Sequence, residues 1–180
     1  MSEKGDGRNF EFKFQKISCN PMSPVHIEQG WLSWMNDPKV NQYLTSKNLI
    51  TTANDLEVYL KREKHLLFLA CYDAMGVYFG NLRLYELSTG YASFGRLIGL
   101  QTHRGVGYGR DMVNAAHTLL FDVYNYNMTI VGNLRINEPS RRSKLALGYE
   151  LLNDRFLESI GITPNKEHQY YGFNRSDYQG

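Results

Sequence analysis

Gln101-Thr102-His103-Arg104-Gly105-Val106-Gly107-Tyr108-Gly109-Arg110 is the stretch on which the reading of this chain turns. It joins an apolar, strand-like segment, Tyr91 to Leu100, to a run in which Met112, Val113, Ala116, Leu119, Leu120 and Val123 fall on one helical stripe. Glycines let a backbone approach a ligand closely, and the helix that follows presents free N–H groups and the positive end of its dipole. Phosphate or pyrophosphate is the natural guest of such a turn. A P-loop would need Gly-Lys-Ser/Thr at the end, but Gly109 is followed by Arg110 and Asp111. A dinucleotide fingerprint would need its third glycine at residue 110 or 112, where arginine and methionine stand. What remains is Arg-x-x-Gly-x-Gly over Arg104 to Gly109; taken alone, it also suits an ordinary glycine-rich turn.

Upstream, Phe10, Phe12 and Phe14 alternate with polar residues at strand period, and Cys19-Asn20-Pro21-Met22 reads as a break. Pro24 opens a helical pattern carried by Ile27, Trp31, Trp34 and Met35, which Asn36-Asp37-Pro38 ends. Short helical stretches are expected around Val40 to Leu44 and from Asn54 to Arg62, the second behind a Thr52/Asp55 capping pair. Leu66 to Tyr72, Val77 to Leu87 and Tyr91 to Leu100, joined by short turns, predict an antiparallel meander. Downstream of the helical stripe, Met128 to Leu134 reads as a strand. A helix then starts at Asn137-Glu138-Pro139-Ser140 and stops at Gly148, and Tyr149 to Phe156 and Gln169 to Tyr178 read as closing strands. The expectation is one α/β domain over residues 9–180, its mixed, mostly antiparallel central sheet flanked by helices, behind a disordered segment at residues 1–8.

Composition narrows the function classes. Twenty basic against 18 acidic residues leave a net charge of +2 over 180 residues, which argues against a dedicated nucleic-acid binder. Two cysteines, Cys19 and Cys71, are too few for a disulfide framework and lack metal-ligand spacing, so no metal is expected. Met1 to Arg8 carries no apolar signal segment, and no run of about 18 apolar residues occurs, so a cytoplasmic protein without a membrane partner is expected.

Three segments in series resemble one family. Arg104 to Gly109 resembles the acetyl-CoA pyrophosphate loop of the GCN5-related N-acetyltransferases. Asn137-Glu-Pro-Ser140-Arg-Arg-Ser-Lys-Leu-Ala-Leu-Gly148-Tyr149 is similar to the family's N-x-x-S…G-F/Y segment. Trp34-Met-Asn-Asp-Pro38-Lys-Val-Asn-Gln-Tyr-Leu44 is similar to a stretch of the branch that holds ribosomal-protein N-terminal acetyltransferases and several amino-sugar acetyltransferases. The resemblance implies that fold and acetyl-CoA as co-substrate. It implies main-chain contacts from Leu97, Ile98 and Leu100 to the pantetheine arm, and amides of Arg104, Gly105, Val106, Gly107, Tyr108, Gly109 and Arg110 around the pyrophosphate. Asn137 and Ser140 would lie toward the sulfur end. Asn137 suits a helix N-cap equally well, and the two roles are compatible.

Acetyl transfer to an amine needs a deprotonated amine, a donor for the developing oxyanion and a leaving thiol. A main-chain N–H near Leu97 to Leu100 suits the second need. A thiol with pKa of about 8.5 gains only about 2 kcal/mol from protonation at neutral pH, so a general acid helps without being essential. Many members of the family carry a tyrosine where this chain has Lys144. The N-terminal-acetylating branch uses a serine at the place of Ser140, so the resemblance implies Ser140 as the candidate general acid, with Tyr149 as an outside option. Ser140 equally suits the first turn of a helix. A carboxylate found in some relatives is replaced by Ser93. Glu86, His103 and Glu150 remain, and no base is assigned. Arg83, Arg96 and Arg135 either meet a substrate phosphate or point to solvent from the alternate strand face, and Tyr170, Tyr171 and Tyr178 either stack on an acceptor or pack in the sheet. The leading expectation is an N-acetyltransferase for a small primary amine such as a nucleotide-linked amino sugar, acting as monomer or homodimer. The alternatives are a protein N-terminal acetyltransferase and a non-catalytic acyl-CoA-binding regulatory domain.

Overall fold

The apolar runs in the second half of the chain become the middle of a sheet. The computed structural model describes residues 11–44, 51–62 and 64–179. Its strands are β1 (Phe12–Lys13), β2 (Ile17–Pro21), β3 (Leu67–Asp73), β4 (Tyr78–Ser88), β5 (Tyr91–Ile98), β6 (Met128–Leu134), β7 (Glu150–Leu151) and β8 (His168–Asn174). They form one eight-stranded sheet in the order β1-β2-β3-β4-β5-β6-β8-β7. Every neighbouring pair is antiparallel except β5 and β6. The sequence-derived α/β class, with its mixed and mostly antiparallel sheet, is the observed one. The segment at residues 1–8 and Phe10 lie outside the described residues.

Helices cover both faces. A wide π-type turn, Ile27–Trp31, runs into α1 (Leu32–Asn36), followed by α2 (Pro38–Asn41) and α3 (Ala53–Arg62). Asp37 caps α2 by accepting from the Lys39 amide at 2.8 Å. Thr52 and Asp55 cap α3 reciprocally: the Asp55 amide donates to Thr52 Oγ1 and the Thr52 amide to Asp55 Oδ2. Trp31, Trp34, Met35 and Leu56 are buried on this face. On the other, α4 (Tyr108–His117), its π-type extension Thr118–Val123 and α5 (Glu138–Ala146) pack over a core that includes Leu82, Phe94, Met112, Leu120 and Phe173. Complete burial of a leucine such as Leu56 contributes about 2 kcal/mol.

Four local expectations are corrected. Ile17–Pro21 is a strand rather than a break: Ile17 and Cys19 alternate inward, and the proline sits at its last position. Cys19 opposes Cys71 across β2 and β3, with the two free thiols 3.4 Å apart. The second change is at Tyr149 to Phe156, which yields only the two-residue β7. Asn153 then accepts from the Phe156 amide at 2.9 Å and starts α6 (Asp154–Ser159), which buries Leu157. The last strand ends at Asn174, followed by a turn over Arg175–Asp177. Val123, finally, lies off the buried stripe and is exposed, because the π-type turn rotates it away.

Candidate functional site

The glycine-rich turn is locked from below. A tight turn, Gln101–His103, follows β5, and the Arg104 side chain folds under it, donating from Nε to the Ile98 carbonyl (3.0 Å), from Nη2 to Gly99 (3.1 Å) and from Nη1 to Lys39 (3.1 Å). His103 lies flat on Phe79, with ring centroids 5.1 Å apart, and its Nε2 meets Asp73 Oδ2 at 2.9 Å. Burial alone would raise the Asp73 carboxyl. The His103 hydrogen bond and the Val77 and Met75 amides outweigh it and hold the group below its usual value. With both residues fastened beneath it, the turn holds Gly105 at φ 76° and Gly107 at φ 106°, left-handed conformations that L side chains adopt only with strain.

This geometry leaves a row of free donors. The Arg104 amide donates to Gln101 and the Arg110 amide to Gly107. Between them, the amides of Gly105, Val106, Gly107, Tyr108 and Gly109 have no acceptor among the described residues, and they end at the first turn of α4. Such a row at a helix N-terminus binds an anion with several oxygens.

Beside the turn the sheet opens. β5 and β6 pair only at Tyr91↔Met128 and Ala92↔Thr129, so from Ser93 onward their facing edges diverge into a cleft. Gly99 is needed at its far end, because a Cβ there would fall 1.8 Å from the Trp34 ring. The helix-side wall is polar. Arg96 reaches from β5 to the Gly109 carbonyl and, at 2.8 Å, to Ser143 Oγ on α5. Burial lowers its pKa, a change partly opposed by Tyr149. Lys144 Nζ donates to Asn133 Oδ1 on β6 (2.7 Å) and to Ser140 Oγ one helical turn back (2.6 Å). Asn137 caps α5 by accepting from the Ser140 amide at 3.2 Å. Lys144 is only 9% exposed; burial, with the Arg96 charge in second place, brings its pKa down from 10.5 to about 7.

The remaining candidates are scattered. His103 is spent on Asp73. Glu86 is exposed opposite Ala92, and Glu150 is exposed on β7. Tyr149 is buried, its hydroxyl 2.5 Å from His117 Nε2 and 3.1 Å from Thr129 Oγ1, and burial raises its pKa. Arg135 donates to the Lys166 carbonyl at 2.8 Å. On the sheet face opposite α4 and α5, the strand registers align Arg83 and Tyr85 of β4, exposed Gly95 of β5, exposed Gly132 of β6 and Tyr170 of β8. Arg83 bonds the Tyr59 hydroxyl and lies 4.8 Å above the Tyr85 ring. A separate groove of about 440 Å³ runs between α4 and the two ends of the described chain, from Phe14 to Tyr178. Among the described residues, no cluster of three His, Cys, Asp or Glu side chains is arranged to hold a metal ion, and no helix is long and apolar enough to cross a membrane.

Sequence reasoning missed Arg96 as a wall of the cleft and Asn133 as a partner of Lys144. Neither carries a motif. The alternation along β5 and β6 puts both on the helix side, and that was the available signal.

No family model and no curated protein matches the chain. Solved structures do. A GCN5-related N-acetyltransferase from Brucella melitensis superposes with a TM-score of 0.73 at 15% identity, covering 95% of this chain and 81% of that one. FdhC, a nucleotide-linked sugar GNAT, gives 0.70 at 16% identity over 95% and 93%. Spermidine N-acetyltransferase from Vibrio cholerae, in complex with CoA and spermine, gives 0.72 at 16% identity over 90% and 97%. The chain has the fold of the GCN5-related N-acetyltransferases.

Proposed function

We propose that this chain is an acetyl-CoA-dependent N-acetyltransferase acting on a primary amine. One observation carries the reading: the unpaired amides of Gly105 to Gly109 stand beside a cleft between two parallel strands. In this reading the amides hold the pyrophosphate, and Arg104 acts beneath them as the brace of the turn. The pantetheine arm would lie in the cleft along Leu97 and Ile98, with Asn137 and Ser140 toward its sulfur. The Ile98 carbonyl is already held by Arg104, and the Leu100 amide and carbonyl by Phe79 and His103, so those groups are not offered to the arm. The acyl donor supplies an activated thioester. The chain's own residues hold it, order the cleft and deliver a proton to the leaving thiol, for which Ser140 is the candidate.

The acceptor would approach from the opposite sheet face at Gly95. There the Tyr85 ring, with Arg83 packed over it, and Tyr170 nearby suit an acceptor with a stackable part. That supports a nucleotide-linked amino sugar as the acceptor.

The first test is the melting temperature with and without acetyl-CoA, with adenosine diphosphate as control. At about 100 times Kd the ligand adds about 2.7 kcal/mol, a shift of several degrees in a domain of this size. A shift well beyond the control supports the reading and justifies a panel of amines followed by thiol release. No shift at millimolar acetyl-CoA overturns it.

A further inference from the structure

We propose that Lys144 is the proton reservoir for the leaving thiol, acting through the Ser140 hydroxyl. The inference rests on the acetyltransferase reading above. Ser140 Oγ accepts from Lys144 Nζ at 2.6 Å, and no other described residue bonds that oxygen, so its own hydrogen is left to donate outward. A hydroxyl that accepts from an ammonium is a stronger donor than a free one. Asn133 Oδ1, at 2.7 Å, holds the ammonium from the other side.

The surroundings keep that proton transferable. Arg96 faces Lys144 from β5 with like charge, and the Tyr171 ring of β8 stands 5.6 Å from Nζ. The carboxylate on α5, Glu138, is taken by Arg141 at 2.6 and 2.7 Å. Among the described residues no carboxylate forms an ion pair with Lys144. A carboxylate there would fix the charge; burial, and after it the guanidinium, weaken it instead and bring the pKa down to about 7.

The step balances. The amine nitrogen bonds to the thioester carbonyl carbon and releases its proton to solvent. As the C–S bond breaks, the electron pair leaves on sulfur. Ser140 gives its hydroxyl proton to that sulfur and takes one from the Lys144 ammonium. Neutral Lys144 regains a proton from solvent before the next cycle. Lys144 is therefore a positioning residue in this scheme, and Ser140 is the group that meets the reacting atoms.

The experiment has a readout that needs no acceptor. In protein carrying lysine labelled with ¹³C at Cε, one signal should titrate near 7, vanish in Lys144→Met and move to higher pH in Arg96→Met. Binding of CoA should raise that midpoint, because a thiolate beside Ser140 favours the ammonium, whereas desulfo-CoA should not. With an amine from the panel, kcat should fall as pH rises above the midpoint. Lys144→Met and Ser140→Ala should each lose that limb and about 10- to 100-fold in kcat, and the double variant should be no worse than either. A Lys144 midpoint at the ordinary value, equal response to CoA and desulfo-CoA, or an unchanged limb in Lys144→Met overturns the inference. Absence of any acetyl-CoA melting shift in the unsubstituted protein overturns the functional reading and this inference with it. A normal shift with an ordinary Lys144 overturns this inference alone.

Discussion

Lys144 and His117 are two buried bases on the same sheet face, and they end in opposite conditions. Lys144 keeps two oxygen acceptors, a neighbouring guanidinium and a place beside the cleft. His117 is boxed by Phe94, Phe121, Phe173, Tyr149 and Tyr178, with Tyr149 as its close polar partner. Burial pushes both pKa values down, Lys144 from 10.5 to about 7 and His117 from 6.5 to about 4. The same force thus brings a lysine into the range where protons move at neutral pH and takes a histidine out of it. The starting chemistry of the side chain decides which buried base stays exchangeable.

The largest expected effect tests the histidine side. His117 has a folded value below its unfolded one, so its contribution is complete above pH 6.5 and is lost as pH falls through 4. The loss amounts to about 3 kcal/mol. Denaturant melts across that window should show it, and His117→Gln should lack that part of the slope.

Lys144 should shift stability in the same direction, in a higher pH window. Below pH 7 the folded protein carries a buried charge, and between 7 and 10.5 it sheds a proton that the unfolded chain keeps, so stability rises with pH in that window. Lys144→Met should therefore be more stable by about 2 kcal/mol at pH 6, with the advantage vanishing toward pH 10. Equal stability at both pH values would mean that the ammonium is well solvated.

Tyr149→Phe removes the hydroxyl 2.5 Å from His117 Nε2 and should cost about 1.5 kcal/mol while leaving acetyl-CoA binding unchanged. A change in binding would join the two regions that the comparison separates. The smallest effect belongs to the loop. Gly107→Ala meets no neighbour within 4 Å but must hold φ 106°, so a stability loss of about 1 kcal/mol is expected, together with weaker acetyl-CoA binding in calorimetry.

How much of this was legible in the sequence depended on range. The glycine turn, the α4 stripe, the Thr52/Asp55 cap and the strand Met128–Leu134 were readable because each is specified within a few residues. Tyr149 to Phe156 misled for the same reason. Its apolar residues suit a strand, but an Asn153 cap and the burial of Leu157 turn it into a helix. His103 looked free beside the loop, yet its partner Asp73 stands thirty residues earlier at the end of another strand. Ser140 and Asn137 were visible as motif residues. Their neighbours Asn133 and Arg96 were not, because strand alternation says which face a residue takes but not what waits there.

By itself, then, the sequence determined the local pieces: most of the segments that extend or coil, and where a backbone bends to offer free amides, since these depend on periodicity and on glycine's missing Cβ. Only the tertiary structure decided where β5 and β6 part and which side chains line the gap. Pairing across long loops, and the charge that one buried group imposes on another, exist only once distant residues are brought within hydrogen-bond reach and out of water.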